Sequence, residues 1–258
     1  MEAAAVSWRG ALRLDATVER PGVWAGFTTR EGGASLPPWT GLNLGGGVGD
    51  DVGHVLANRS RVAGAVGVTP ERLVLMQQCH GTRVERVEGP WPGQAPSCDA
   101  IVTTHDDLAL AALVADCTPV LLHDARAGVV GAVHAGRPGM TDGVVALAVS
   151  AMRDLGATAV SALVGPSICG RCYEVPEALR ADAARRSPVS STLSWVGTPA
   201  VDVAAGVVDQ LVAAGVTVTW VPGCSREDPE LYSYRREGVT GRYAGVIRLL
   251  PALTGATA

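Results

Sequence analysis

Residues 108–139 read LALAALVADCTPVLLHDARAGVVGAVHAGRPG. Three apolar runs, 108–114, 119–123 and 129–134, have strand length, and the last two flank Asp124-Ala125-Arg126-Ala127-Gly128, a turn of the kind that joins hairpin partners. The pattern predicts successive strands of one sheet with antiparallel or mixed pairing. Between the first two runs Asp116, Cys117 and Thr118 arrive together, which a dry core accommodates poorly. The third run ends in His134, with Gly136 just beyond it.

Upstream, residues 24–29 read as a strand, followed by glycine-rich loops at 30–35 and 43–51. Residues 50–67 read as a covering helix with Asp50 or Asp51 as N-cap. A short strand at 73–77 leads into Gln78-Cys79-His80-Gly81, with residues 84–87 as its expected hairpin partner, and another strand begins at Cys98-Asp99-Ala100. Downstream, helices are expected at 140–155, 176–186 and from Asp202 to near Gly215. Strands are expected at 160–164, 216–221 and 244–249, and residues 187–199 read as a polar loop. No repeat, charge block or low-complexity linker divides the chain, so the expectation is a single α+β domain over residues 1–258, with mixed sheets.

Composition narrows the function. A net charge of −4 gives no basic face for nucleic acid or a membrane surface. All 21 basic residues are arginine, which excludes Schiff-base lysine chemistry and the P-loop lysine. The N-terminus lacks the pattern of a secretory signal, and no apolar run reaches about 18 residues; a cytoplasmic location is expected. The 6 cysteines are irregularly spaced and do not read as a disulfide framework.

The chemistry gathers on His80, Cys117 and His134. Each histidine follows an apolar run and precedes a glycine, so both stand at strand ends where backbone can approach closely. Two imidazoles and a thiolate match a catalytic zinc site with one position open; a Cys117–His134 catalytic dyad is the alternative. Other signatures fail: there is no HExxH, no zinc-deaminase pattern, no GxGxxG leading into an apolar helix, and Gly165-Pro166-Ser167-Ile168-Cys169 misses GxSxG at its last residue. Cys169-Gly170-Arg171-Cys172 is a CxxC without a second pair, which reads as structural, with redox activity a minor alternative.

Taken together, Gln78-Cys79-His80-Gly81, Ala115-Asp116-Cys117-Thr118-Pro119, Val133-His134-Ala135-Gly136, Cys172-Tyr173-Glu174-Val175, and Ser233-Tyr234-Arg235-Arg236 with Thr240-Gly241-Arg242 resemble the YfiH-like family, also labelled laccase-domain or multicopper polyphenol oxidase proteins. Asn43-Leu44-Gly45 and Asn58-Arg59 match its N-terminal pattern, and the resemblance runs from about residue 27 to 247. It implies mixed sheets sandwiched by helices and a zinc site at His80, Cys117 and His134, with one copper ion as the alternative metal. It further implies phosphorolysis of adenosine, inosine, guanosine or methylthioadenosine to base and ribose 1-phosphate, plus hydrolytic deamination of adenosine. Expected substrate contacts are Asn43, Arg59, Gln78, Arg137, Arg236 and Arg242, with Glu174 a candidate proton donor and Asp116 expected to point away from Cys117. Where the family reads HAGWRG, this chain has His134-Ala135-Gly136-Arg137-Pro138-Gly139. Alternatives of other classes are a Cys117–His134 hydrolase or amidase, a copper polyphenol oxidase, and a nucleoside-binding protein without turnover.

Overall fold

The computed structural model describes the backbone of Ala5–Arg9 and Leu12–Arg20, and residues 22–250 in full. The strands run β1 (Ala5–Arg9), β2 (Leu12–Arg20), β3 (Val23–Thr28), β4 (Leu73–Val74), β5 (Val84–Arg86), β6 (Ala100–Thr103) and β7 (Ala109–Val114). They continue as β8 (Thr118–Asp124), β9 (Val129–Ala135), β10 (Ser161–Val164), β11 (Ser191–Leu193), β12 (Pro199–Val201), β13 (Thr217–Trp220) and β14 (Tyr243–Leu249). The helices are α1 (Val52–Ala65), α2 (Arg137–Asp142), α3 (Val144–Asp154), α4 (Glu177–Arg186), α5 (Val203–Ala213) and the short α6 (Tyr234–Glu237).

Side-chain alternation along the strands assembles the layers. Leu110 and Ala112 of β7 meet Phe27, Leu121, Val130 and Ala132 in a core between two sheets. Ala109 and Ala111 of the same strand face Val62 and Ala63 of α1 and its C-cap Val66. On β8, Leu121 points into the inter-sheet core, whereas Val120 and Leu122 pack with Val145 and Val149 of α3 and Val207 and Leu211 of α5. One six-stranded sheet has the order β1-β2-β3-β14-β7-β4, the other β13-β10-β8-β9-β6-β5, and β11–β12 form a separate antiparallel pair. The result is an α+β domain with two mixed sheets between helices. Among the described residues, no helix is long and apolar enough to cross a membrane.

The β8–β9 hairpin forms as expected across Asp124–Gly128, with Pro119 opposite His134. Four other expectations change. Residues 73–77 and 84–87 do not form a hairpin: β4 pairs parallel to β7 in one sheet, and β5 parallel to β6 in the other. Likewise β7 and β8 belong to different sheets, because the chain turns sharply at Asp116, whose φ is 101°. The helix expected over 140–155 breaks at Gly143, with φ 88°, which serves as C-cap of α2 and N-cap of α3. The polar loop 187–199 contributes β11 and the start of β12.

A buried carboxylate secures the end of the hairpin. Asp124 accepts N–H bonds from Arg126 and Ala127 at 3.1 Å and from Thr158 and Ala159 at 2.8 Å. Burial would raise its pKa, but these donors outweigh it and hold the carboxyl below its ordinary value. A folded pKa below the unfolded one gives stability that is present above the unfolded value, about 4, and lost as pH falls through the folded one. Asp124→Asn is expected to lower unfolding free energy at neutral pH by about 1–3 kcal/mol and to flatten the acid limb, as read from urea melts across that range.

Candidate metal centre and active-site cleft

Two of the crossovers between the sheets pass the same end of the molecule. The β4-to-β5 segment carries His80 and the β7-to-β8 segment carries Cys117, while His134 comes from the end of β9. His80 (φ 62°) and Asp116 (φ 101°) are the non-glycine residues with positive φ among those described. Such backbone costs on the order of 1–3 kcal/mol and persists where surrounding contacts dictate it.

For His80 the dictating group is Asp99. Its fully buried carboxylate accepts N–H bonds from Cys79 at 3.3 Å, His80 at 3.0 Å and Gly81 at 2.7 Å, and the Cys79 thiol at 3.1 Å. The same carboxylate lies 2.8 Å from Nδ1 of His134. Donation from Nδ1 leaves Nε2 of His134 free to act as a ligand. Burial opposes ionisation of Asp99, yet the bonds from His134, Cys79 and Gly81 hold it charged, well below the usual carboxylate range.

Around this anchor the three expected ligands converge. Cys117 Sγ is 3.6 Å from His80 Nε2, the two imidazoles meet edge to face at 4.8 Å between centroids, and the ligand atoms of all three lie within 4.8 Å of one another. Gly136 closes the cradle, since a Cβ there would fall 2.5 Å from His80 Cδ2 and 3.4 Å from Cys117 Sγ. Burial would raise the Cys117 thiol, but His134 and His80 bring it down to about 6. Burial would lower His134, but Cys117 and Asp99 raise it to about 9. The metal-free pair is therefore thiolate and imidazolium, and the thiolate is the form that binds metal or attacks as a nucleophile. Two nitrogens and one sulfur, with His80 open to a cleft, fit a single divalent ion with a free coordination position.

The cleft measures about 980 Å³. Of the residues expected to contact substrate, Arg59, Arg137 and Arg242 line it, and Arg137 opens α2 with Pro138 following it inside the first turn, where a missing N–H costs nothing. Gln78 also lines it, but its amide is engaged with the backbone of Leu113, donating to O at 2.6 Å and accepting from N at 2.8 Å. Asn43 is buried elsewhere: it donates to Asp50 and Gly45 and accepts from the Gly45 and Arg242 N–H groups, so it positions Arg242. Arg236 is spent on the carbonyls of Ser225, Arg226, Asp228 and Leu231 and on Glu237, and it clamps a loop. Neither Asn43 nor Arg236 lines the cleft, and neither does Glu174, whose carbonyl receives Arg235. Asp116 is not on an extended strand; its carboxylate accepts from Ser225, Ser233 and the Arg235 N–H. The sequence reading missed Asp99, as well as Tyr173, Tyr234 and Arg235 on the cleft wall. A charged residue at the head of the apolar run Ala100–Thr103 was the signal available for Asp99, because a buried carboxylate requires a partner.

A family model described as multi-copper polyphenol oxidoreductase laccase matches residues 24–250. The chain belongs to this family. Within it, a purine nucleoside phosphorylase (ORF3) of Streptomyces griseus is 54% identical over 86% of this chain and 93% of its own length. Another purine nucleoside phosphorylase, from Streptomyces coelicolor, is 50% identical over 88% and 96%. Among solved structures, YlmD from Geobacillus stearothermophilus superposes with a TM-score of 0.84 at 29% identity, over 95% of this chain and 98% of that one. Of the 5 histidines in this laccase-family chain, His80 and His134 converge with Cys117. That set suits one ion and lacks the imidazoles of a multinuclear copper cluster.

Proposed function

We propose that the protein is a zinc-dependent purine nucleoside phosphorylase, acting on adenosine, inosine, guanosine and methylthioadenosine, with deamination of adenosine as a second reaction in the same cleft. One observation carries this reading. Arg59, Arg137 and Arg242 share the cleft with His80, Cys117 and His134, yet none of the three forms an ion pair among the described residues. Burial lowers the pKa of Arg59 and of Arg242, the cost of holding a guanidinium partly out of water. Cations held at such a cost, with no carboxylate in ion-pair contact, suit an anionic ligand, and guanidinium forks match phosphate oxygens.

In phosphorolysis the C1′–N9 bond of the nucleoside breaks and a phosphate oxygen bonds to C1′. The base departs with the proton that the attacking phosphate gives up, and ribose 1-phosphate is the second product. The arginines orient phosphate for this attack and keep its charge neutralised away from water. Zinc held by His80, Cys117 and His134 supplies Lewis-acid polarisation when bound. Asp99 fixes the tautomer of His134 and the backbone of His80. Tyr173, Tyr234 and Ile168 give the cleft an apolar wall for the base. The Streptomyces relatives, both named purine nucleoside phosphorylases, support the same reaction.

Chromatography of adenosine incubated with the purified protein tests the proposal. Adenine is expected only when phosphate is present, and inosine in either case. No base release at any phosphate concentration would leave a deaminase, a thiol hydrolase or a binding protein instead. Arg242→Met is expected to raise the KM for phosphate by roughly ten- to a hundredfold, the worth of a charged hydrogen bond of about 1.5–3 kcal/mol, with a smaller effect on the KM for nucleoside; initial rates over a phosphate series measure it.

A further inference from the structure

A second group of metal-binding side chains lies in two loops that follow β10 and β13. These parallel strands continue side by side past their ends: Val221 N–H donates to Val164 O at 2.9 Å, and Ser225 N–H to Ser167 O at 3.1 Å. Each segment then makes the same kind of turn. Cys169 O accepts the N–H groups of Cys172 at 2.9 Å and Tyr173 at 3.1 Å, and Cys224 O accepts those of Glu227 at 3.0 Å and Asp228 at 2.8 Å. The turns carry ligand-type residues at matching positions, Cys169-x-x-Cys172 in one and Cys224-x-x-Glu227 in the other. The CxxC that had no second pair in the sequence therefore meets one in space, 55 residues farther along, with a carboxylate as its last member.

Three sulfurs and a carboxylate oxygen lie within 4.8 Å of one another. Cys172 Sγ is 3.2 Å from Glu227 Oε1, and the Cys169 N–H is 3.4 Å from Cys224 Sγ. All three cysteines are free thiols. We propose that Cys169, Cys172, Cys224 and Glu227 bind a structural zinc ion that fastens these two loops together.

Donor type and number favour zinc. Paired x₂ spacings from two adjacent turns supply four ligands, which closes a tetrahedral shell and leaves no position for substrate, unlike the three-ligand set at His80. Thiolate donors select zinc over magnesium or calcium. The position also gives the ion a purpose. Ile168 and Tyr173, which flank the first turn, line the cleft, and Ser225, inside the second, donates to Asp116 at 2.7 Å beside Cys117. Arg226, inside the second turn, donates to Cys172 O at 3.3 Å and joins the two loops, while Arg235 stacks 4.9 Å from the Tyr173 ring centroid on the cleft side. Fastening them fixes the wall against which substrate rests.

The site is independent of the His80 centre, and metal counts on three proteins separate the two. Purified with zinc and a thiol reductant, then desalted, the wild type is expected to hold two zinc equivalents per chain, Cys224→Ser one and Cys117→Ala one. Equal zinc in Cys224→Ser and wild type overturns the proposal, whereas equal zinc in Cys117→Ala and wild type speaks against the His80 centre alone. Should Cys224→Ser fail to fold, cobalt loaded into Cys117→Ala reads the remaining site directly. Strong thiolate-to-cobalt charge-transfer absorption with tetrahedral ligand-field bands is expected. Absence of those bands, or a mass two hydrogens light showing a disulfide among these cysteines in zinc-free wild type, rejects it.

Discussion

Cys117→Ala is expected to lose the metal of the His80 centre and, with it, phosphorolysis by on the order of a thousandfold or more. The thiolate is the one anionic donor among the three ligands, and two neutral imidazoles hold a divalent ion far less well. Loss of Lewis-acid stabilisation is worth several kcal/mol, and each 1.4 kcal/mol is about tenfold in rate. The fold is expected to survive, because Cys117 sits half-exposed at the cleft between β7 and β8, and packs only at the margin of a small cluster around Tyr232 and Tyr243. Metal content and base release, measured on protein whose far-ultraviolet circular dichroism matches wild type, check both halves. Retained activity in metal-free Cys117→Ala would remove the metal and the thiol together from the reaction.

Asp99→Asn is expected to weaken metal binding by about ten- to a hundredfold, the range for partners that orient metal ligands, and to slow phosphorolysis by a similar factor. An amide oxygen can still accept some of the N–H bonds from residues 79–81, but the negative charge that faces His134 at 2.8 Å disappears. His134 then loses both a fixed tautomer and the charge that strengthens it as a donor. The backbone of His80 at φ 62° loses part of the anchor that holds it. A competition titration against a zinc chelator reads the affinity. An affinity equal to wild type would mean that the three ligands are positioned by packing alone.

These two residues also mark where sequence and structure part company. The hairpin of β8 and β9 follows from its turn and its alternation, and α1 and α5 from their aspartate caps, because those signals act over a few residues. The pairing of β4 with β7, and of β5 with β6, does not follow, since an apolar run looks the same whichever sheet it joins. Cys117 and the two histidines were visible as polar side chains out of place in apolar strands, and the motifs around them gave the family. Asp99 was passed over because its partners lie 18 to 35 positions away, on segments that meet only after the chain has crossed between sheets. Asn43 and Arg236 illustrate the opposite error. Both stand in motifs, but the hydrogen bonds that occupy them are within the protein, and no spacing rule separates such a residue from one that faces a ligand.

Phosphorus-31 NMR of the zinc-loaded wild type incubated with inosine and phosphate tests most directly whether the cleft arginines hold phosphate as a reactant. The predicted result is a ribose 1-phosphate resonance growing as the inorganic phosphate signal falls, one for one with hypoxanthine released. An unchanged phosphate signal over many equivalents of inosine, with zinc bound and the protein folded, would contradict it.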